Sequence, residues 1–161
     1  MGKSVSSQKP CVILSAGGSG GHVFPARAVA EELQSRGFRL VVATDTRGLK
    51  YFDGLDADIP RYVIASGTYN GGISGKVKGA LGLVQGFFQS LVLVRRYHPV
   101  AMVGFGGYPS APPLFAGQVM GVPTILHEQN AILGLANKLL APLAKKIALS
   151  YATTTGLSPA A

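Results

Sequence analysis

The chain holds a single cysteine in 161 residues, Cys11, set inside an apolar run. One thiol builds neither a disulfide framework nor a cysteine-based zinc site, so a reducing compartment is expected. Charge is sparse, at 14% of residues, and acid is nearly missing from residues 60–161, which hold eight Lys and Arg against Glu128 alone. Residues 1–59 carry seven basic and six acidic side chains, so the formal net charge of +8 belongs almost wholly to the second part. Such a field answers phosphate, whether of nucleic acid, an anionic membrane face or a phosphorylated substrate, or it simply keeps the domain soluble. Long apolar runs are missing too. The stretch from Leu81 to Val94 is 14 residues broken by Gln85, Gln89 and Ser90, against about 20 for a bilayer span. The expectation is that the chain does not cross a membrane. Residues 1–10 are polar and the run Cys11–Ala16 is shorter than a signal-peptide core, so no targeting segment is expected either.

What is abundant is apolar surface and glycine. A hydrophobic content of 47% and a mean hydropathy of +0.31 supply one compact domain with a core. Twenty-two glycines without a triplet period point to several tight backbone sites. Short apolar runs at 11–16, 38–43, 62–65, 100–105, 124–126 and 147–149 read as buried strands. Between them, helical spacing is read at 24–36, 76–97, 112–120 and 133–145, the last bent at Pro142. Alternating strands and helices predict a Rossmann-like doubly wound α/β domain around a parallel sheet. Residues 1–10 read as a flexible N-terminus, 11–150 as the domain, and 151–161 as a tail or the start of an interdomain linker.

Three strand-to-helix turns share one edge of such a sheet, where its ligands bind. The first is Gly17-Gly18-Ser19-Gly20-Gly21-His22, whose glycines let backbone approach an anion at a helix start. It matches neither a dinucleotide fingerprint, which needs glycine where Val23 stands, nor a phosphate-binding Walker loop, which needs Gly-Lys where His22-Val23 stand. Asp45, after the second strand, imitates a ribose-binding acid, but a local cap is the commoner role in such a turn. The second turn holds Gly104, Gly106, Gly107 and Tyr108; the third is His127-Glu128-Gln129-Asn130. Each histidine sits singly in its own loop, a poor pattern for metal. An imidazole beside a carboxylate suits a general base, with local backbone capping as the plainer alternative.

Gly-Gly-Ser-Gly-Gly-His-Val-Phe-Pro-Ala at 17–26, Gly-Phe-Gly-Gly-Tyr at 104–108 and His-Glu-Gln-Asn-Ala at 127–131, in that order, closely resemble the bacterial MurG family. Its members transfer N-acetylglucosamine from UDP-GlcNAc to lipid I, making lipid II for peptidoglycan. The resemblance runs over residues 11–150 and implies the N-terminal half of an inverting GT-B enzyme, without its C-terminal donor domain. It implies no cofactor and no bound metal, UDP-GlcNAc being a substrate. The implied partners are lipid I and an anionic membrane surface, not nucleic acid, at the cytoplasmic face of the bacterial inner membrane.

By the same resemblance, Gly17, Gly18, Gly20, Gly21, Gly104, Gly106 and Gly107 would approach the acceptor diphosphate. His22 is the leading candidate for the base, with Glu128, supported by His127, as its rival; Tyr108 and Asn130 would orient sugars and phosphate. Ser19, where many members have threonine, and Asn130 would also reach the donor. On the long helix, Val77, Leu81, Val84, Phe88 and Leu91 form one stripe, read as core. Ile73, Leu83 and Phe87 lie off it, and with Lys76, Lys78, Arg95 and Arg96 they are the expected membrane contact. A non-catalytic membrane-recruiting subunit working with a separate donor-binding chain is the alternative function; a nucleotide-cofactor oxidoreductase is disfavoured by Val23.

Overall fold

A computed structural model describes residues 9–67 and 72–157, with the Ile73 side chain also outside the description. The expectation for residues 1–10 therefore falls almost wholly outside the described residues, as does the membrane contact assigned to Ile73.

Six strands form one parallel sheet in the order β3-β2-β1-β4-β5-β6. They are β1 Cys11–Ser15, β2 Arg39–Thr44, β3 Arg61–Val63, β4 Ala101–Gly104, β5 Thr124–Glu128 and β6 Lys146–Leu149. The order reverses between β1 and β4, which pair directly from Val12–Ala101 to Ser15–Gly104. Strand alternation sends Val12 and Leu14 to one face, with Phe52 and Phe105, and Cys11 and Ile13 to the other, with Leu93, Met102 and Leu114. Both faces are covered, which is why the strands read as continuous apolar runs.

Helix α1 spans Gly20–Ser35, four residues ahead of the expected start. Glycines and an interior proline are poor helix signals, yet Ser19 is in extended conformation as the N-cap and the helix carries Pro25 within it. A short helix, α2 (Thr46–Leu49), follows β2; its N-cap Asp45 accepts from Gly48 N–H, the local role favoured from sequence. Helix α4 is Ala111–Val119. The last helix, α5, covers only Leu135–Leu140, because Pro142 turns the chain into a tighter 3₁₀ turn at Ala141–Leu143 instead of bending a longer helix. Residues past β6 fold back: Leu133 N–H donates to Thr155 O and Thr155 N–H to Ala131 O.

The long helix α3, Ile73–Tyr97, ends at left-handed His98 ahead of Pro99. Its residues Ser74–Tyr97, which include an 18-residue window of mean hydropathy 1.5, are long and apolar enough to cross a membrane by length and composition alone. The side seated on the protein is not the expected stripe. Gly79, Gly86, Ser90, Leu93 and Val94 are buried, whereas Val77, Leu81, Val84 and Phe88 are 53–63% exposed. The reading that made those four residues core is corrected: backbone approaches decide the face. Space for a side chain at Gly82 is taken by Ser66 O, and at Gly86 by Ala65 O. Leu83 and Phe87, expected to face lipid, are half-buried; Phe87 stacks at 5.4 Å on Phe115 of α4.

Candidate active site at the β1–β4 switch point

The loops after β1 and β4 meet above the reversal of strand order, where a doubly wound sheet leaves a crevice. A Cβ on Gly17 would run into Pro109 at 2.8 Å and Asp45 Oδ1 at 2.6 Å, so only glycine lets the two loops touch. Gly106 and Gly107 both have positive φ, +83° and +76°. The His22 ring lies over them, 3.2–3.3 Å from where their side chains would be. This turn therefore needs glycine for conformation and for space.

His22 Nδ1 stands 2.8 Å from Phe105 O. A carbonyl only accepts, so pairing with Phe105 O requires the proton on Nδ1, and in the neutral ring that leaves the lone pair on Nε2, beside Gly107. First-turn N–H groups of a helix have no intrahelical partner. At α1 those of His22 and Val23 turn back to Ser19 O, while those of Gly20 and Gly21 make no such bond among the described residues. Ser19 and Gly21 are exposed.

Not every predicted glycine is placed to meet a ligand. Gly18 N–H donates to Asp45 Oδ1 at 2.8 Å, and Gly104 is buried against Leu114. Their part is to hold the loops in shape.

His127 and Glu128 belong to β5, not to the loop after it, and so point to opposite sides. Glu128 is 1% exposed. Its Oε1 accepts from Asn130 N–H (3.0 Å) and Asn130 Nδ2 (2.8 Å); its Oε2 accepts from Gly134 N–H (2.8 Å) and Asn137 Nδ2 (3.0 Å). Burial by itself raises the carboxyl, but the donors of Gly134, Asn130 and Asn137 together outweigh it and hold the group below the usual glutamate range. A carboxylate so fully engaged is a scaffold for Asn130 and for the entry to α5. His127 packs at 5.4 Å against the Phe105 ring. Burial pushes its imidazole below the ordinary histidine range, against the opposing Gln129 amide and Glu128 charge.

His22, Gly106, Gly107, Tyr108, Glu128 and Asn130 line one hollow of about 240 Å³ with the start of α5. A hollow of about 480 Å³ at Lys9, Phe38 and Tyr97 is larger, but it opens at the opposite ends of the strands, away from the crevice of such a sheet. Among the described residues no three His, Cys, Asp or Glu side chains gather as a metal site. Two residues were missed from sequence. Asn137, buried at 1%, braces Glu128, and its trace was a lone amide in the apolar run Leu-Ala-Asn-Lys-Leu-Leu. Gln129, whose amide reaches His22, gave no signal beyond its place in a polar tetrapeptide.

The parallel 3-2-1-4-5-6 sheet is that of a doubly wound fold, and its match to a glycosyltransferase N-terminal domain and to a MurG structure makes it the N-terminal half of a GT-B fold. The model of the glycosyltransferase family 28 N-terminal domain matches residues 12–149, and the chain belongs to that family.

Curated relatives are named UDP-N-acetylglucosamine–N-acetylmuramyl-(pentapeptide) pyrophosphoryl-undecaprenol N-acetylglucosamine transferase. The one from Rhodospirillum centenum is 44% identical over 146 residues, 91% of this chain and 38% of the relative. The one from Methylorubrum populi is 46% identical over 152 residues, 92% and 40% of the two chains. The chain thus spans about two-fifths of the length of these relatives. The crystal structure of Acinetobacter baumannii MurG superposes with a TM-score of 0.79 at 32% identity, over 92% of this chain and 44% of that one. The Streptomyces glycosyltransferase SsfS6, at 16% identity and a TM-score of 0.59, shares the fold.

Proposed function

We propose that this chain is the acceptor-binding half of an inverting transferase that moves N-acetylglucosamine from UDP-GlcNAc to lipid I, giving lipid II. The observation that carries the reading is the placement of His22: Nδ1 lies 2.8 Å from Phe105 O, which turns Nε2 toward Gly107 in the turn where a diphosphate would lie. Nε2 takes the proton of the acceptor 4-hydroxyl as its oxygen bonds to the anomeric carbon of the donor sugar. The bond from that carbon to UDP breaks, and UDP leaves with the electron pair. The α1 N-terminus and the N–H groups of Gly20, Gly21, Gly106 and Gly107 face the acceptor diphosphate. Tyr108 and Asn130 orient the acceptor, Ser19 and Asn130 reach the donor, and Glu128 with His127 supports them. The reaction needs no resident metal or cofactor.

The test joins this chain to the C-terminal half of the Rhodospirillum centenum relative and measures transfer from UDP-GlcNAc to a lipid I analogue. Transfer above the level of either half alone is expected; a folded chimera that transfers nothing overturns the reading.

The acceptor is lipid-linked, so the protein must work at a membrane, here the cytoplasmic face of the bacterial inner membrane. The exposed stripe Val77, Leu81, Val84 and Phe88 is its apolar contact, extended by Phe115 and Leu139 beside a hollow of about 260 Å³ shared with Leu83 and Phe87. Exposed Lys76, Lys78, Arg95 and Arg96 flank the stripe, each worth ~1 kcal/mol near an anionic surface. Co-sedimentation with acidic vesicles should exceed that with neutral ones, and Leu81→Asp/Phe88→Asp should abolish it. Equal binding to both lipids removes the electrostatic part.

A further inference from the structure

Behind the crevice three polar side chains stand in a row: His22 on α1, Gln129 just past β5, and His127 on β5. The Gln129 amide nitrogen lies 2.5 Å from His22 Nδ1, the same nitrogen that lies 2.8 Å from Phe105 O. Gln129 Oε1 and His127 Nδ1 are both buried without a hydrogen-bond partner among the described residues. As placed, an N–H donor and a carbonyl acceptor compete for His22 Nδ1, while the Gln129 carbonyl is matched by His127 only where that ring carries its proton on Nδ1.

Turning the amide end for end, which leaves its shape unchanged, removes the conflict at His22. Oε1 then shares the Nδ1–H of His22 with Phe105 O. Nε2–H donates to Nδ1 of His127, which burial keeps neutral. His127 Nε2–H is left to point at Ser150 Oγ, 3.4 Å away. Buried polar atoms are nearly always paired, which favours the arrangement that pairs all of them.

We propose that Gln129 is a positioning residue whose amide, oriented by His127, holds His22 as the Nδ1–H tautomer and keeps Nε2 unprotonated toward the crevice. The catalytic consequence rests on the reading of His22 as the base; the tautomer itself does not. Phe105 O aligns the ring from the β4 loop and Gln129 from the β5 loop, so the base is set by two loops besides its own.

The imidazole ¹⁵N shifts of His22, read by NMR on the ¹⁵N-histidine-labelled chain at pH 8, test this directly. The wild-type chain should show the Nδ1–H form. Gln129→Leu and His127→Phe should each raise the Nε2–H fraction about fivefold, the ratio that one ordinary hydrogen bond is worth. Gln129→Glu, whose carboxylate only accepts, should restore the Nδ1–H form, and amide dispersion in the same spectra reports folding. Unchanged shifts in folded Gln129→Leu and His127→Phe overturn the proposal. In the two-domain chimera, Gln129→Leu should lower kcat in step with the loss of the Nδ1–H form, by less than about fivefold, with KM unchanged. A tautomer that shifts without any change in kcat upholds the Gln129 role and removes His22 as the base.

Discussion

Replacing His22 with alanine in the two-domain chimera is expected to lower kcat by about 10²- to 10⁴-fold, the usual range for a general base. KM for the acceptor should change little. In the proposed reaction the imidazole meets the acceptor hydroxyl where its proton is lost, so its contribution grows in the transition state, and equal falls in kcat and kcat/KM are the signature. Alanine also removes the hydrogen bond to Phe105 O and empties the space over Gly106 and Gly107. His22→Asn controls for this, because its amide still donates to Phe105 O but cannot take a proton at neutral pH. A comparable loss of kcat at an unchanged Tm is expected for asparagine. A kcat within about threefold of wild type for either variant would take His22 out of the chemistry.

Gly86→Ala is expected to be the most damaging single-methyl addition in the fold. The new Cβ would fall on the Ala65 carbonyl oxygen, with the Ile64 side chain 3.1 Å away. The obstacle is backbone, following the short edge strand β3, and has no rotamer to yield. Helix α3 must move out, losing contact at Ser90, Leu93 and Val94, which are 1–5% exposed. Overpacking costs about 1–3 kcal/mol, and in a chain of this size each kcal/mol lowers Tm by about 2–4 °C. Thermal unfolding beside Ala80→Ser, on the exposed side of the same helix, makes the comparison. Equal Tm values for the two variants would show that α3 is not seated through its glycines.

These cases mark where sequence reading succeeds. The strands were visible because a parallel sheet covered on both faces needs unbroken apolar runs, as in Cys11-Val12-Ile13-Leu14. The crevice was visible because close approach at Gly106 and Gly107 tolerates no β-carbon. Helix α3 was misread because periodicity locates an apolar stripe without saying what covers it. Val77, Leu81, Val84 and Phe88 carry the spacing of a core face, yet the packed face is read from the absence of side chains at Gly79, Gly82 and Gly86.

By itself, the sequence determined the order of strands and helices, the parallel sheet that this order compels, and the loops able to approach a phosphate. Those properties are local: they depend on side-chain periodicity and on which residues tolerate a tight turn. The tertiary structure alone decided that Glu128 is caged, that Gly18 N–H is engaged by Asp45, and that His22 offers Nε2 to the crevice. Each is set by a partner on another loop or helix, as Phe105 O, 83 residues away, aligns the His22 ring through Nδ1, and no local pattern carries that contact.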